Sequence, residues 1–395
     1  MPNGGFGNWP PNKGREGGRR ASMLWMTALF VLISSCQGWI GSSSNRRDDF
    51  WRQPRWMRTP KLHHATSPGT PPLENSNHPK TSFHSSSDPS KRVGLLLTFD
   101  LDDTLFPTDQ VVTRANHAML QAMYDLGVPR DVSVQDFLDT TRQIRKSLTT
   151  PITYQGLRKR AIHETFQRNP DTIHGTMSLE DRVEFCYGVW VTERHLAAER
   201  YLYSDALSTL QEIRTTFPHV CIGAITNGAG NPFRMTQTLQ PYFDFRVSGE
   251  DPNIFPHRKP HAYIYEYSIQ QYFQFQTKLR ETMVPTNRDN DDWIWCHVGD
   301  CLANDVAASA NCGAKAIWMC LDDPEKDLGT STSAASRLGM NTNKFPEWST
   351  APPSELEQRA QLIAQGQQQI TATITQLSQL PLVLNNILSS YSTKM

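Results

Sequence analysis

The chain has 395 residues, with 39 Lys and Arg balanced by 39 Asp and Glu. A length of this order suggests two or three domains, but the first 92 residues carry 13 basic and 5 acidic side chains and look unable to form a core. Because these basic residues are scattered among Ser, Pro and Gly, the composition argues against a nucleic-acid-binding protein.

The first 92 residues have the composition of a targeting sequence. Residues 23–33 form an apolar run of signal-peptide length behind Arg19 and Arg20, and extension to Ile40 keeps a membrane anchor open. Residues 41–92 are rich in Ser, Arg, Pro and Thr and poor in acids, as in a transit peptide. We therefore interpret 1–40 as a signal or anchor segment and 41–92 as a disordered transit-peptide-like or stalk segment.

The tandem order of these two segments resembles the bipartite presequences of algae with complex plastids, which predicts a plastid protein. The seven cysteines agree with a reducing stroma, since their number is odd and most lie in apolar runs typical of buried thiols. The alternative is a protein anchored in the secretory pathway, with membrane contact only through the uncleaved N-terminal segment.

Residues 95–105 are the most informative stretch, because an apolar run ends there in Asp100, Asp102, Asp103 and Thr104. In an extended chain, Asp100 and Asp102 project to the same side. Two carboxylates at such a short distance require a cation or a shared proton between them. Hard oxygen ligands select Mg²⁺ as that cation. An acidic turn that caps a helix remains the alternative.

Residues 109–200 contain no comparable apolar strand. The spacing of apolar residues over 111–126 predicts a helix that stops at Gly127. A helical insert directly after an acidic strand end suits a lid that excludes water and contacts a leaving group. Within it, residues 154–160 combine an aromatic residue with cations and suit a nucleotide-like substrate, although a solvated basic helix face is the preferred interpretation.

Two further apolar runs end in polar clusters. Residues 220–225 are followed by Thr226 and Asn227 and a Gly turn suited to phosphate oxygens. Lys259 could neutralise the same anion, although it could equally be a solvated lysine. Residues 293–298 are broken by a loop with Asp300 and Asp305. In an open parallel sheet, ligands bind beyond the carboxyl ends of the strands, so these clusters should converge on one crevice.

This set of motifs resembles the haloacid dehalogenase-like hydrolases, in the branch with a helical cap inserted after the first motif. The motif residues are Asp100, Asp102, Thr226, Asn227, Lys259, Asp300 and Asp305. The resemblance implies an α/β fold: a doubly wound, Rossmann-like parallel sheet with an inserted α-helical cap. The catalytic core would comprise residues 93–108 and 201–325, and the cap residues 109–200.

The resemblance also implies a role for each motif residue. Asp100 would be the nucleophile and Asp102 the general acid and base. Thr226, Asn227 and Lys259 would bind the phosphate, with Asn227 acting through its backbone. The cofactor would be Mg²⁺, bound by the side chains of Asp100 and Asp300 and the carbonyl of Asp102. Asp305 would support these ligands or join them.

A finer resemblance links residues 224–232, 242–245, 257–260 and 297–306 to the bacterial flavin mononucleotide phosphatases of riboflavin synthesis. Cys301 departs from the family, where an acidic or hydroxyl residue is usual. The predicted function is Mg²⁺-dependent hydrolysis of a small phosphorylated metabolite, with flavin mononucleotide or a riboflavin-pathway pyrimidine phosphate as candidates. The alternatives are a non-catalytic scaffold and a 2-haloacid dehalogenase. The carboxylic acid side chain of Asp102 disfavours the dehalogenase.

Residues 326–395 read as a polar loop followed by a C-terminal helix. The helical pattern extends from residue 354 to residue 388 and is rich in Gln and Leu, with Ser354 and Glu357 as a capping pair. Its polar face has few cations, so we expect it to pack on the main domain or on a second subunit in a homodimer, not on a membrane.

Overall fold

The computed structural model describes residues 94–170, 177–282, 292–321 and 353–392. The predicted targeting segments 1–40 and 41–92 lie outside these ranges, as do the predicted polar loop up to residue 352 and the side chains of the predicted capping pair Ser354 and Glu357. No helix in the described ranges combines the length and the apolar composition needed to cross a bilayer.

A six-stranded parallel sheet lies at the centre of the described chain. The strands are β1 (Gly94–Phe99), β2 (Cys221–Thr226), β3 (Phe245–Ser248), β4 (Trp293–Gly299), β5 (Lys315–Met319) and β6 (Ala372–Ile374). Their order across the sheet is β3-β2-β1-β4-β5-β6, and each neighbouring pair is parallel. The strands that precede the two acidic motifs, β1 and β4, are therefore neighbours in the middle of the sheet.

Helices connect and flank these strands. They are α1 (Thr108–Asp125), α2 (Val134–Ser147), α3 (Tyr154–Gln167), α4 (Leu179–Arg200), α5 (Ala206–Thr216), α6 (Ala262–Thr282), α7 (Ala308–Asn311), α8 (Pro353–Gln369) and α9 (Leu380–Ser392). A single wide turn with π-helical hydrogen bonding (Leu302–Ala307) leads from β4 into α7.

Side chains of β1 pack against helices on both faces of the sheet, because successive residues of a strand point in opposite directions. Leu95, Leu97 and Phe99 join the apolar cluster that contains residues of α5 and α9. Leu96 joins the cluster that contains residues of α6. An almost uninterrupted apolar strand is typical of a parallel sheet covered on both faces. The predicted doubly wound α/β fold is thereby confirmed.

Helices α1 to α4 follow β1 and form an apolar core of their own. The fully buried members of this core include Ala115, Met119, Met123, Phe137, Ala161, Ile162, Phe166 and Cys186. The end of α1 agrees with the pattern in the sequence, since Leu126 is the C-cap and Gly127 has a φ of 105°. Glycine adopts this conformation without strain, so it ends the helix.

The C-terminal part differs from the single helix predicted over 354–388. The structure has two helices, α8 and α9, separated by β6, which pairs in parallel with β5. Ile363 of α8 packs beside the wide turn on one face of the sheet, and Leu380 and Leu384 of α9 pack on the other face. A strand of three residues is too short to interrupt a helical pattern, and sheet pairing overrides local periodicity. The sheet consequently extends beyond residue 325.

Candidate active site

Acidic side chains meet where β1 and β4 end. Asp100 follows β1, and its main-chain N–H donates to Val298 O of β4 (2.9 Å). Asp300 follows β4, and Asp305 lies in the wide turn after it. One carboxylate oxygen from each of Asp100, Asp300 and Asp305 lies within 4.8 Å of the other two. Neighbouring parallel strands thus bring two distant motifs to the same edge of the sheet.

Lys259 supplies the positive charge in this cluster. Its Nζ donates to Asp100 Oδ1 (2.6 Å) and to Asp305 Oδ1 (2.7 Å). The lysine side chain is 3% exposed, so water cannot replace these partners. Three carboxylates facing one ammonium group leave two formal negative charges in excess, which a divalent cation would balance.

The three carboxyl groups differ in how easily they ionise. Burial raises the pKa of Asp100 to about 8, against the opposing charge of Lys259. Burial, together with repulsion from Asp305 and Asp100, raises the pKa of Asp300 well above its usual range. Burial also disfavours the charge on Asp305, but Lys259 and His297 outweigh it and hold the pKa of Asp305 below its usual range. A bound cation would favour the ionised form of all three.

The turn after β4 is built around Asp305. The main-chain N–H of Cys301 donates to Asp305 Oδ2 (3.0 Å), and the N–H of Asp305 donates to Cys301 O (2.8 Å). Gly299 makes this approach possible, because a Cβ atom at that position would lie 2.4 Å from the Cβ of Asp305. Any larger residue at 299 would therefore displace the carboxylate.

Cys301 has a structural role in the same turn. Its sulfur accepts a hydrogen bond from the N–H of Asn304 (3.4 Å) and another from Nη2 of Arg359 in α8 (3.2 Å). Arg359 Nη1 donates to Asn304 Oδ1 (3.1 Å). Burial raises the pKa of the Cys301 thiol. The thiol is thus an acceptor that caps the turn.

A buried hydrogen-bonded chain supports Asp305 from inside the sheet. Trp295 Nε1 donates to Thr98 Oγ1 (2.8 Å), which lies 2.8 Å from His297 Nδ1. The other ring nitrogen, Nε2, lies 3.4 Å from Asp305 Oδ1. Burial lowers the pKa of His297. A neutral ring with its proton on Nε2 satisfies this chain, because the Thr98 hydroxyl then donates to Nδ1.

Asp102 faces the cap. Nη2 of Arg194 in α4 donates to both of its carboxylate oxygens (2.6 and 2.9 Å). The Thr108 hydroxyl, at the start of α1, lies 3.4 Å from Oδ1. Gly228, in the loop after β2, also approaches Asp102, since a Cβ added at that position would lie 3.4 Å from Asp102 Oδ2. Asp102 therefore lies between the helical cap and the loop that follows β2.

Thr226 and Asn227 lie at the carboxyl end of β2, beside Lys259. Thr226 is fully buried, and its hydroxyl accepts from the N–H of Gly228 (3.1 Å). The Asn227 side chain makes two hydrogen bonds to the main chain of Lys259. Its Nδ2 donates to Lys259 O (2.9 Å), and its Oδ1 accepts from the N–H of Lys259 (2.8 Å). The Asn227 side chain thus positions Lys259, which leaves its main chain for the predicted phosphate contact.

Sequence reasoning missed Thr104 and Arg194 as site residues. The Thr104 hydroxyl lies 3.5 Å from Asp300 Oδ1, and Arg194 of cap helix α4 is 2% exposed. A signal for Arg194 exists in the sequence, since it shares a helix face with buried Trp190 and Ala197. A charged residue on an apolar face requires a partner, but periodicity does not identify that partner.

The donor set at this edge fits Mg²⁺. Its candidate ligands are hard oxygen atoms, and its excess charge matches a divalent ion. Both oxygens of Asp305 already have partners, Lys259 and the N–H of Cys301. This arrangement favours Asp305 as the supporting group and Asp100 and Asp300 as the direct side-chain ligands.

No family model matches the chain, and no curated protein matches it. The chain is similar to several solved structures. One is a 2-haloacid dehalogenase from Pseudomonas syringae pv. tomato DC3000, which is 22% identical. The comparison covers 75% of this chain and 99% of that chain, with a TM-score of 0.46. An HAD phosphatase from Thermococcus onnurineus is 17% identical, with 74% and 98% of the two chains covered and a TM-score of 0.36.

The HAD-hydrolase YfnB from Bacillus subtilis, whose structure contains magnesium, is 15% identical. That comparison covers 74% of this chain and 100% of YfnB, with a TM-score of 0.37. All three TM-scores lie below 0.5, and the function proposed for this chain rests on the geometry of its own site.

Proposed function

We propose that the chain is a haloacid dehalogenase-like, Mg²⁺-dependent phosphomonoester hydrolase that acts through an aspartyl-phosphate intermediate. The observation that carries the proposal is the cluster in which oxygens of Asp100, Asp300 and Asp305 lie within 4.8 Å of one another, with Lys259 bonded to two of the three carboxylates. Phosphoryl transfer depends on positioning and on stabilising charge at the phosphoryl oxygens. The cluster offers a nucleophile, a cation site and a fixed ammonium group in one place.

Asp100 is the proposed nucleophile. Lys259 holds Asp100 Oδ1, which leaves Oδ2 for in-line attack on phosphorus. The bond from Oδ2 to phosphorus forms as the bond from phosphorus to the ester oxygen breaks, so one difficult displacement becomes two easier ones. Lys259, Thr226 and the main chain at Asn227 stabilise the charge on the equatorial oxygens.

Asp102 is the proposed general acid and base. It gives its proton to the leaving alkoxide and then takes one from the water that attacks the phosphorus of the intermediate. This second attack releases phosphate and restores the Asp100 carboxylate. The acid also argues against dehalogenation, because a leaving halide needs no proton.

The residues that would hold Mg²⁺ are Asp100 and Asp300 through their side chains and Asp102 through its carbonyl, with Asp305 in support. When bound, Mg²⁺ neutralises part of the charge on the phosphoryl oxygens and orients the phosphate. Burial raises the pKa of Asp100, and a bound cation would favour the ionised carboxylate that attacks phosphorus.

The finer proposals rest on sequence resemblance. The segments over residues 224–232 and 297–306 support flavin mononucleotide or a riboflavin-pathway pyrimidine phosphate as the substrate. The composition of the first 92 residues supports a plastid location, with a membrane-anchored protein of the secretory pathway as the alternative. The proposed assembly is a homodimer, although α8 and α9 pack on the sheet of their own chain.

Phosphate release by the purified full-length chain tests the proposed function. We expect Mg²⁺-dependent release from several monoesters in a panel that includes flavin mononucleotide and an activated aryl phosphate. A chain that releases phosphate from none of them would be a non-catalytic scaffold of the same fold. Halide release from 2-haloacids, without phosphate release, would identify a dehalogenase instead.

A further inference from the structure

The cap places a second arginine next to the one that contacts Asp102. Arg158 of α3 packs over the ring of Trp190 in α4, with its Cζ atom 3.8 Å from the ring centroid. Trp190 and Arg194 are four residues apart on α4, so they lie one above the other on the same helix face. Arg158, stacked on Trp190, and Arg194 therefore lie along the same face of α4, and Arg194 contacts Asp102 from that face.

The guanidinium plane of Arg158 is fixed. Asn116 of α1, which is 4% exposed, accepts from Arg158 Nη1 (2.8 Å) and from Trp190 Nε1 (2.9 Å) through the same oxygen. Stacking on Trp190 and this hydrogen bond together hold the plane in place. Among the described residues, most of its five N–H donors have no acceptor, and the side chain is only half-buried. A rigid guanidinium edge of this kind suits a planar or tetrahedral oxyanion.

The positive charge of Arg158 has no acidic partner among the described residues. Burial lowers the pKa of Arg158 to about 9, Tyr187 opposes the shift, and the neighbouring charge of Arg194 adds to it. The guanidinium still carries its charge at neutral pH. The adjacent Lys159 differs, because it forms an ion pair with Glu184 (2.6 Å). Arg158 is thus a fixed cation that no described residue of the cap neutralises.

Arg194 has an unsatisfied donor as well. Nη2 binds both oxygens of Asp102, whereas Nη1 is buried and has no acceptor among the described residues. A buried donor without an acceptor is costly because it has lost its hydrogen bonds to water, so such groups usually have a partner in the working molecule. The two guanidiniums and the single Asp102 carboxylate leave one positive charge in excess.

We propose that Arg158 and Arg194 form a subsite for a second oxyanion, a carboxylate or an additional phosphate, carried by the leaving group of the substrate. The subsite rests on the proposed function, because Asp102 marks the ester oxygen of the leaving group. Since Arg194 contacts Asp102 directly, the oxyanion lies close to that ester oxygen. The substrate class is therefore a small phosphorylated acid or a small bisphosphate. This class replaces flavin mononucleotide, the candidate that the sequence resemblance supports, because the leaving group of flavin mononucleotide carries no second oxyanion and would gain nothing from the pair.

Matched pairs of phosphomonoesters test the subsite in the full-length chain. Phosphoglycolate is compared with ethyl phosphate for a carboxylate, and propane-1,3-diol bisphosphate with propyl phosphate for a second phosphate. We expect the charged member of at least one pair to have the higher kcat/KM. The pair that shows the preference identifies the oxyanion.

Substitution of Arg158 then separates recognition from packing. Arg158→Met should lower kcat/KM for the preferred charged ester about 30-fold or more, mainly through KM, and for its neutral partner by about 3-fold or less. Arg158→Lys should restore part of the loss, because it keeps the charge without the planar fork. The matched control is Lys159→Met, which removes a cation that already has a carboxylate partner and should leave both esters unchanged.

Three results would overturn the subsite: no preference in either pair, equal losses on both members in Arg158→Met, or a higher kcat/KM for flavin mononucleotide than for every charged ester. These results differ from failure of the proposed function, in which the wild-type chain would release phosphate from neither charged nor neutral esters. Thermal unfolding of each variant shows whether the cap has stayed folded.

Discussion

Asp100 and Asp102 are only two residues apart, but they contact different parts of the molecule. Asp100 is buried against Lys259 and faces the acidic cluster of the core, whereas Asp102 is partly exposed and bound by Arg194 of the cap. Groups of one chemical type in different environments take different roles in catalysis. The proposed division into nucleophile and general acid therefore agrees with the side of the crevice that each residue contacts.

Replacing Asp100 with Asn should remove activity and keep the fold. The amide still offers Oδ1 to Lys259 but is a poor nucleophile, so we expect Asp100→Asn to lower kcat by about 10³-fold or more. Steady-state phosphate release gives the loss, and circular dichroism and thermal unfolding check the fold. A folded Asp100→Asn variant with more than a small fraction of wild-type activity would remove Asp100 from its proposed role.

Replacing Asp102 should have an effect that depends on the leaving group. An alkyl ester needs a proton on its leaving oxygen, whereas an activated aryl ester needs much less help. Asp102→Asn should therefore lower kcat about 10²-fold or more for alkyl phosphates and clearly less for p-nitrophenyl phosphate. Parallel kinetics on both ester types measure the difference. Equal losses on the two would argue against Asp102 as the general acid.

At the level of secondary structure, helix α8 packs against the wide turn that follows β4 and supports it. Arg359 donates to Asn304 Oδ1 and to the sulfur of Cys301, and these residues flank the turn that carries Asp305. Gly366 lets the helix approach, since a Cβ there would lie 2.3 Å from Leu302 O. A C-terminal helix far from the motifs in sequence thus fixes the geometry of the turn that carries Asp305.

Removing the Arg359 contacts should weaken metal binding. Groups that orient metal ligands typically change affinity by about 10- to 100-fold, so Arg359→Met should raise the Mg²⁺ concentration for half-maximal activity about 10-fold. The stabilisation of the fold by added Mg²⁺, measured by thermal unfolding, should need a matching increase. The control is Gln365→Ala, which removes an α8 contact to Asn311 (2.8 Å) away from the acidic cluster. The same Mg²⁺ requirement in both variants would show that Arg359 does not position the site.

The elements differ in how well the sequence predicts them. β1, β2 and β4 are apolar runs with polar ends, and each lies within about one residue of its predicted place. β3, β5 and β6 have four, five and three residues, and none has a pattern strong enough to be predicted. Such short strands, at or next to the edges of the sheet, form because a neighbouring strand offers hydrogen bonds, and that information is not local.

At the scale of the whole molecule, the sheet order decides which motifs meet. Lys259 lies 159 residues from Asp100 and 46 residues from Asp305 in sequence, yet it bonds to both. The rule that ligands bind at the carboxyl ends of parallel strands predicts this convergence from the sequence alone. Contacts between cap and core, such as Arg194 with Asp102, depend on how two separate units pack, so motif spacing gives no information about them.

The central claim is that Asp100 and Asp300 form a Mg²⁺ site on which phosphate release depends. Its most direct test is the rate of phosphate release against Mg²⁺ concentration, for chelator-treated wild type and for Asp300→Ala. The wild type should be inactive after chelation and recover with Mg²⁺, but poorly with Ca²⁺, whose looser shell does not hold the reactants in line. Asp300→Ala should raise the Mg²⁺ concentration for half-maximal activity by about 10-fold or more and lower the maximal rate. Chelator-resistant hydrolysis, or a normal Mg²⁺ dependence in Asp300→Ala, would contradict the account.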